Sequence, residues 1–494
     1  MKKMKKMKNL FLIILLLAVS TSCEDFEGWN VDTKNPAEVP ADFLVTSAEY
    51  TLFLRMTSIS VNYNNFRYFA QNVGSTTYQD EPNYDLASRD GQGTFFVYMY
   101  RDILNDLADA KNIVLSNNDL EGVKASKLGQ IELLEVFTWH ILVDVFGDVP
   151  YTEALKASEG NYQPKYDDDQ AIYTDLFIRL DQAIVSLQAG TSGFEDADLI
   201  YGGDNTAWLK FANSLKLKLA VRIADADQAL ASAKASEAYT AGVFESDADN
   251  FAYPFEADPP NTNPLWTSLV QSGRSDYVVA NTLVDLIVPL NDPRITTYLD
   301  DNQQPYIGGT YGTNAPFANY THIGQYFQES DLPGLLMSYS EVSFLVAEAA
   351  AKGILAADAE AYYNQGVTSS IEFYGGSAAD AAAYLAQPTV AFGTATYAER
   401  IGVQKYLALY MTNGFESWAS WRLLDWPLMN LAFESQLPVP RRYIYPNDEP
   451  NINGDNYDAA AAAMGGDELD SRVFWDINGK GNDNGNVPPS NLPE

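Results

Sequence analysis

The residues most able to do chemistry here are aromatic rings set among planar amides and guanidinium groups. Tyr63, Asn64, Asn65, Tyr68, Tyr78, Gln79, Tyr84, Arg89, Tyr98 and Arg101 fall between positions 62 and 101. A second concentration, between 261 and 328, holds Trp266, Arg274, Tyr277, Tyr306, Tyr311, Phe317, Tyr320, Tyr326 and Gln328. A flat ring packs on the C–H face of a pyranose while Asn, Asp, Gln and Arg bond its hydroxyls. Tyr outnumbers Phe, 31 to 24, and a phenol hydroxyl favours a partly wet site. Tyr78, Tyr84, Tyr98, Trp266, Tyr306 and Tyr320 are therefore the candidate ligand contacts. Most individual rings in a protein serve packing, so the expectation attaches to the group.

Other chemistry lacks material. His140 and His322 stand 182 positions apart and the only thiol is Cys23, which leaves no clustered zinc ligands and no His-based triad. Asp476, Asn478 and Gly481 imitate the start of a calcium loop, but Lys480 takes the fifth place and no Glu stands at the twelfth. Asp167, Asp168 and Asp169 read as a solvated helix start, where negative charge suits the helix dipole. The sequence has no phosphate-binding glycine loop and no dinucleotide fingerprint. No metal and no cofactor is implied. With 31 basic residues against 66 acidic ones the formal charge is -35, which repels nucleic acid. A glycosidase needs little beyond two suitably spaced carboxylates, so the acidic residues leave a secreted carboxylate-dependent hydrolase as the alternative to a non-catalytic binding protein. Release of new reducing ends would distinguish the two.

The elements that position these residues begin after a targeting segment. Five lysines up to Lys8, an apolar run from Leu10 to Val19 and the small residues Ser20, Thr21 and Ser22 lead to Cys23, the three regions of a secretory signal. The apolar run is about half of the ~20 residues a membrane span needs. Residues 1–22 thus read as a signal peptide and 23–40 as an acidic, proline-bearing tether. Cleavage before Cys23 removes five lysines and takes the formal charge to -40. From 41 to 245 apolar residues recur at three- and four-residue spacing, as in Ile103, Leu107, Ala110 and Val114, which predicts a scaffold of antiparallel helices. Residues 246–337 carry nine prolines and one helical stretch near 275–290, the composition of a loop-rich face. Helical spacing returns over 338–435, and 436–494 reads as an irregular C-terminal segment. The expectation is a mainly α protein with one domain over 41–494.

Several phrases in a fixed order give that expectation a family. Asp144-Val145-Phe146-Gly147-Asp148-Val149-Pro150-Tyr151, Trp208 to Leu215, Tyr253-Pro254-Phe255, Asn291-Asp292-Pro293-Arg294 and Ser340 to Ala349 come first. Gly414-Phe415-Glu416-Ser417-Trp418-Ala419-Ser420-Trp421-Arg422, Leu437 to Arg442 and Tyr445-Pro446 follow. Together they resemble the SusD/RagB family of nutrient-binding outer-membrane lipoproteins, in its SusD-like branch. Leu423 stands where many relatives have a second arginine. Ser20-Thr21-Ser22-Cys23 resembles a bacterial lipobox with Ser20 in the usual leucine place, which makes Cys23 the lipidation site; Glu24, Asp25 and Glu27 look like the acidic signal for surface display.

The resemblance implies tetratricopeptide-like helix pairs carrying irregular insertions that form the ligand face. It also implies a lipid-anchored, cell-surface protein of the outer membrane that captures a nutrient, an oligosaccharide or a peptide. The implied partner is a SusC-like TonB-dependent transporter. Trp418 and Trp421, three apart beside Phe415, read as core, and Glu416, Arg422, Arg441 and Arg442 as buried ion pairs.

Overall fold

The computed structural model describes residues 39–477, and the signal segment, Cys23 and the end of the chain lie outside them. Eleven described helices of ten residues or more carry the fold: α1 (Ala41–Thr57), α2 (Asn105–Ser116), α3 (Glu121–Phe146), α4 (Asp169–Ala189), α5 (Asn205–Arg222), α6 (Gln228–Ala241), α7 (Tyr339–Ala351), α8 (Ala359–Phe373), α9 (Tyr397–Ala408), α10 (Gly414–Leu424) and α11 (Gly454–Ala463). Helix pairing follows chain order: α3 packs on α4, α5 on α6, α7 on α8 and α9 on α10. This is the tetratricopeptide-like arrangement of antiparallel pairs. None of the described helices is long and apolar enough to cross a membrane.

Local chemistry sets the starts of these helices. Asp168, Asp204, Asp227, Ser338 and Asp358 each accept a backbone N–H of the first turn, at α4, α5, α6, α7 and α8. Each such cap contributes about 0.5–2 kcal/mol. Asp168 thus does open a helix, but its neighbour Asp169 is buried and accepts the Phe474 N–H at 2.8 Å, so this start is only partly solvated. α11 lies in the stretch expected to be irregular, where the run from Ala459 to Ala463 outweighs the surrounding Asn and Gly.

The core is aromatic at its centre. Phe66, Phe69, Trp418 and Tyr443 pack in stacked and edge-on contacts with centroids 5.2–6.2 Å apart. Trp418 and Trp421 are both buried, as expected of core residues. His140 lies between Phe137 and Phe415, where burial above all, with Lys218 and Arg222 nearby, holds its imidazole well below 6.5 and neutral.

Among the described residues, three short two-stranded antiparallel sheets tie loops to the helices. β1 (Val73–Ser75) pairs with β5 (Tyr277–Val279), β2 (Val149–Pro150) with β3 (Tyr166–Asp167), and β4 (Phe251–Tyr253) with β6 (Gly334–Met337). The β1–β5 pair joins segments two hundred residues apart, with Val73 opposite Val279 and Ser75 opposite Tyr277.

Candidate functional site: an aromatic loop face

The β1–β5 ladder brings the two aromatic concentrations together. Beyond Ser75 the chain turns, the Ser75 hydroxyl accepts the backbone N–H of Tyr78 at 3.0 Å, and Tyr78 emerges 41% exposed. Before Tyr277 lie Arg274 and Asp276. Arg274 donates to the Tyr78 hydroxyl at 2.9 Å and forms a two-point pair with Asp276 at 2.5 and 2.9 Å. Arg89, itself bonded to buried Glu81, also reaches the Tyr78 ring, its guanidinium carbon 5.4 Å from the centroid against 5.5 Å for that of Arg274. The hydrogen bonds to Asp276 first, and to Tyr78 second, raise the Arg274 pKa further above its ordinary value. A solvent-facing phenol ring is thus oriented by one arginine and flanked by two, with a carboxylate beside it. Such a group can stack on a sugar ring and donate to and accept from its hydroxyls.

The free edge of β5 extends this face. Gly309 donates to the Val279 carbonyl at 2.8 Å, and Val279 donates to that of Thr321 at 2.9 Å. Gly308 allows the approach, because a Cβ there would lie 2.4 Å from the Asn281 Cα. Ile307 and Thr321 exchange bonds of 2.8 Å, so Tyr306 and Tyr320 stand on adjoining segments, both half-buried. The Tyr306 hydroxyl donates to Asp301 at 2.8 Å, and partial burial with that carboxylate pushes its pKa up to about 12. Ala315 donates to the Ser75 carbonyl at 2.9 Å, which closes the loop back onto β1.

The remaining candidates lie elsewhere. Tyr84 is buried and its hydroxyl accepts from Gln71 at 3.1 Å, so its ring packs beneath the face and not on it. The apolar surroundings of a core tyrosine are supplied by distant residues such as Phe69, 5.7 Å away, which local composition does not announce. Tyr98 sits in a π-helical turn (Tyr98–Leu104) with the Arg55 guanidinium 3.5 Å over its ring, and borders a separate cleft of about 360 Å³ with Arg101 and Glu449. Trp266 ends the short helix Pro264–Trp266, half-buried, where Asn263 caps the turn and binds the Leu332 carbonyl at 2.6 Å. The structure thus joins Tyr78, Tyr306 and Tyr320 through one hydrogen-bonded framework and places the other three outside it. Sequence reasoning missed the supporting role of Glu81. Cys23 lies outside the described residues.

Among the described residues one cluster has the spacing of a cation site, Asp148, Asp168 and Asp169. One oxygen of each carboxylate is already engaged: Asp148 accepts the Asp169 N–H at 3.0 Å, Asp168 that of Ala171 and Asp169 that of Phe474. The calcium-like start at Asp476 is likewise occupied, because that carboxylate pairs with Arg441 and Arg472.

The family phrases build the centre of the helical scaffold. Asp144 accepts from the Tyr173 hydroxyl at 2.5 Å and the Trp475 indole at 2.8 Å, and Glu416 binds Arg222 at 2.6 Å with Lys218 and Lys405 at 3.4 and 3.5 Å. Glu416, Arg441 and Arg442 form the buried ion pairs expected of them, the last two with Asp425, Asp476 and Asp467. Arg422 differs, bonding the carbonyls of Asp144 and Arg441 while its guanidinium lies 3.7 Å from the Trp418 ring centroid and 4.7 Å from that of Trp475.

Comparison with known proteins agrees with this framework. Residues 33–446 match the family model of the SusD-like branch described as starch-binding associating with outer membrane. Among solved structures, a chitin-binding protein is 27% identical, with a TM-score of 0.74 over 88% of this chain and 100% of its own. A chitin-binding SusD homologue from Flavobacterium johnsoniae is 23% identical, with a TM-score of 0.74 over 88% of this chain and 99% of that one. A SusD-like protein from Bacteroides thetaiotaomicron is 25% identical, with a TM-score of 0.74 over 90% and 100%. No curated protein matches the chain. A match over most of the chain, a scaffold of paired helices and family phrases at the centre of the core lead to one assignment: the chain belongs to the SusD-like family.

Proposed function

We propose that the protein is a non-catalytic, lipid-anchored receptor of the outer membrane that captures an oligosaccharide and passes it to a TonB-dependent transporter. The observation that carries this reading is Tyr78, held solvent-facing beside Arg274 and Arg89 on loops that also present Tyr306 and Tyr320. The chitin-binding protein that is 27% identical over its whole length makes chito-oligosaccharides the first glycans to try. Cys23 is the acylation site in this reading, and two or more acyl chains hold a protein on a bilayer stably without a spanning helix. Capture followed by handover requires only moderate affinity, and an open face suits that better than an enclosed pocket.

The test is calorimetric titration of the protein with chitotetraose, maltotetraose and cellotetraose, with chromatography of each mixture after overnight incubation. Binding of a glycan that emerges intact supports the receptor reading. New reducing ends would contradict it and direct attention to carboxylate pairs.

A further inference from the structure

A further cleft lies away from the Tyr78 face, where the segment after α10 crosses α9. Its volume of about 400 Å³ falls in the lower part of the roughly 300–1,000 Å³ typical of ligand pockets. Trp426, Leu428, Val403, Glu399, Arg400 and Asn430 are among its walls.

Trp426 has an environment unlike that of the core tryptophans. α10 ends at Asp425 in a left-handed conformation (φ 56°), which turns the next residue out of the helix. Gly402 on α9 lets it sit close, since a Cβ there would lie 2.7 Å from the Trp426 Cβ. Trp426 is half-buried, and no aromatic side chain among the described residues packs against its ring. Trp418, by contrast, is covered by Phe66, Phe69 and Tyr443. Leu428, 40% exposed, adds an apolar surface to the same cleft.

The polar wall is fixed in advance. Asn430 donates its backbone N–H to Gln71 at 2.9 Å, accepts from the Gln71 amide at 2.6 Å and donates its own amide to Thr282 at 2.7 Å. Thr282 in turn donates to Gln71 at 2.6 Å, and Gln71 is fully buried. These bonds use the Asn430 main chain and an amide N–H and so fix the residue where it lines the cleft. Glu399 and Arg400, paired at 2.8 Å and both partly exposed, supply acceptors and donors on α9. An indole face, an apolar wall and a preset amide suit a ring that is apolar on one side and hydroxylated at its edge. Glu399 and Asp285 in the lining, on a chain of formal charge -35, disfavour an anion.

We propose that this cleft is a second sugar-binding site, with Trp426 as its stacking surface and Asn430 as its fixed hydrogen-bonding group. The proposal rests on the carbohydrate reading above but on different residues, so the two can fail separately. The experiment is calorimetric titration of the full-length protein, and of its Trp426→Ala, Leu428→Arg and Tyr78→Ala variants, with chitotetraose, maltotetraose and cellotetraose. Circular dichroism verifies the fold of each variant. The expected result is a binding step weakened at least tenfold by Trp426→Ala and by Leu428→Arg, which places a charge in the cleft from an exposed position, yet retained in Tyr78→Ala. If every step is lost in Tyr78→Ala and unchanged in both cleft variants, the second site is overturned while the receptor reading stands. If only the cleft variants lose binding, the second site holds and the Tyr78 assignment falls. Absence of binding by all three glycans to the unmodified protein overturns both.

Discussion

Two of the places where arginine, carboxylate and aromatic ring come together in this protein have opposite consequences. In the scaffold, Arg422 is enclosed between Trp418 and Trp475 with Asp144 and Asp476 nearby, and burial above all pushes its guanidinium down to about 9. On the loop face, Arg274 and Asp276 flank Tyr78 in water, and the pairing raises the Arg274 pKa instead. The residue types are the same, and burial separates them. Enclosed charges are committed to one another, and removing one leaves the others uncompensated at a cost of several kcal/mol. Exposed ones gain little from pairing, on the order of 0–1 kcal/mol, and so remain able to exchange partners with a ligand.

Substitutions in the two regions should therefore separate stability from binding. Glu416→Gln removes the charge shared by Arg222, Lys218 and Lys405, which hold its carboxyl below the ordinary range against the effect of burial. The expected loss is about 3–5 kcal/mol in urea unfolding, with glycan affinity unchanged in the fraction that folds. An exposed-like effect, under about 0.5 kcal/mol, would break the comparison.

Asp169 sharpens it as a buried carboxylate with no cation partner among the described residues. Burial first, then Asp148 and Asp168, raises its pKa from 3.8 to about 7. The folded protein then keeps a proton that the unfolded chain releases, so this contribution to stability is complete below pH 3.8 and is lost as pH rises to about 7. Asp169→Asn should flatten that part of the profile, a difference between variant and parent of about 1–3 kcal/mol between pH 4 and 7.5. Thermal unfolding across that range measures it, and parallel profiles would count against the raised carboxyl.

Effects on the loop face should be smaller and confined to ligand. Tyr78→Ala is expected to weaken glycan binding about tenfold, ~1.4 kcal/mol, with stability unchanged within about 0.5 kcal/mol. Arg274→Lys keeps the charge but loses the planar fork that grips Asp276 while bonding Tyr78. A two- to fivefold loss of affinity by calorimetry is the expected outcome.

The helical scaffold was legible where apolar residues recur at three- and four-residue spacing, as Leu107, Ala110 and Val114 do on the buried side of α2, although α10 buries every residue from Gly414 to Leu424. Asp168, read in the sequence as part of a helix start, caps α4 in the structure. The face was legible only as composition. Tyr78 and Arg274 both stood in aromatic stretches, but the contact between them depends on β1 and β5, three residues each, too short to carry a pattern. Tyr84 looked equivalent to Tyr78 because burial six residues away is decided by packing from distant segments. The Trp426 cleft draws on residues from 282 to 430, so no local window contains it. α11 was hidden because Pro, Asn and Gly near it outweighed its alanines.

The central claim is that the exposed Tyr78–Arg274 group binds glycan while the buried Glu416 and Arg422 groups only hold the scaffold. Its most direct test is calorimetric titration of chitotetraose, maltotetraose and cellotetraose into the protein and its Tyr78→Ala variant, with chromatography of the recovered sugar. The account predicts that at least one glycan binds the parent, is weakened about tenfold by Tyr78→Ala and returns intact. Equal affinity for both proteins, or a shortened sugar, would contradict it.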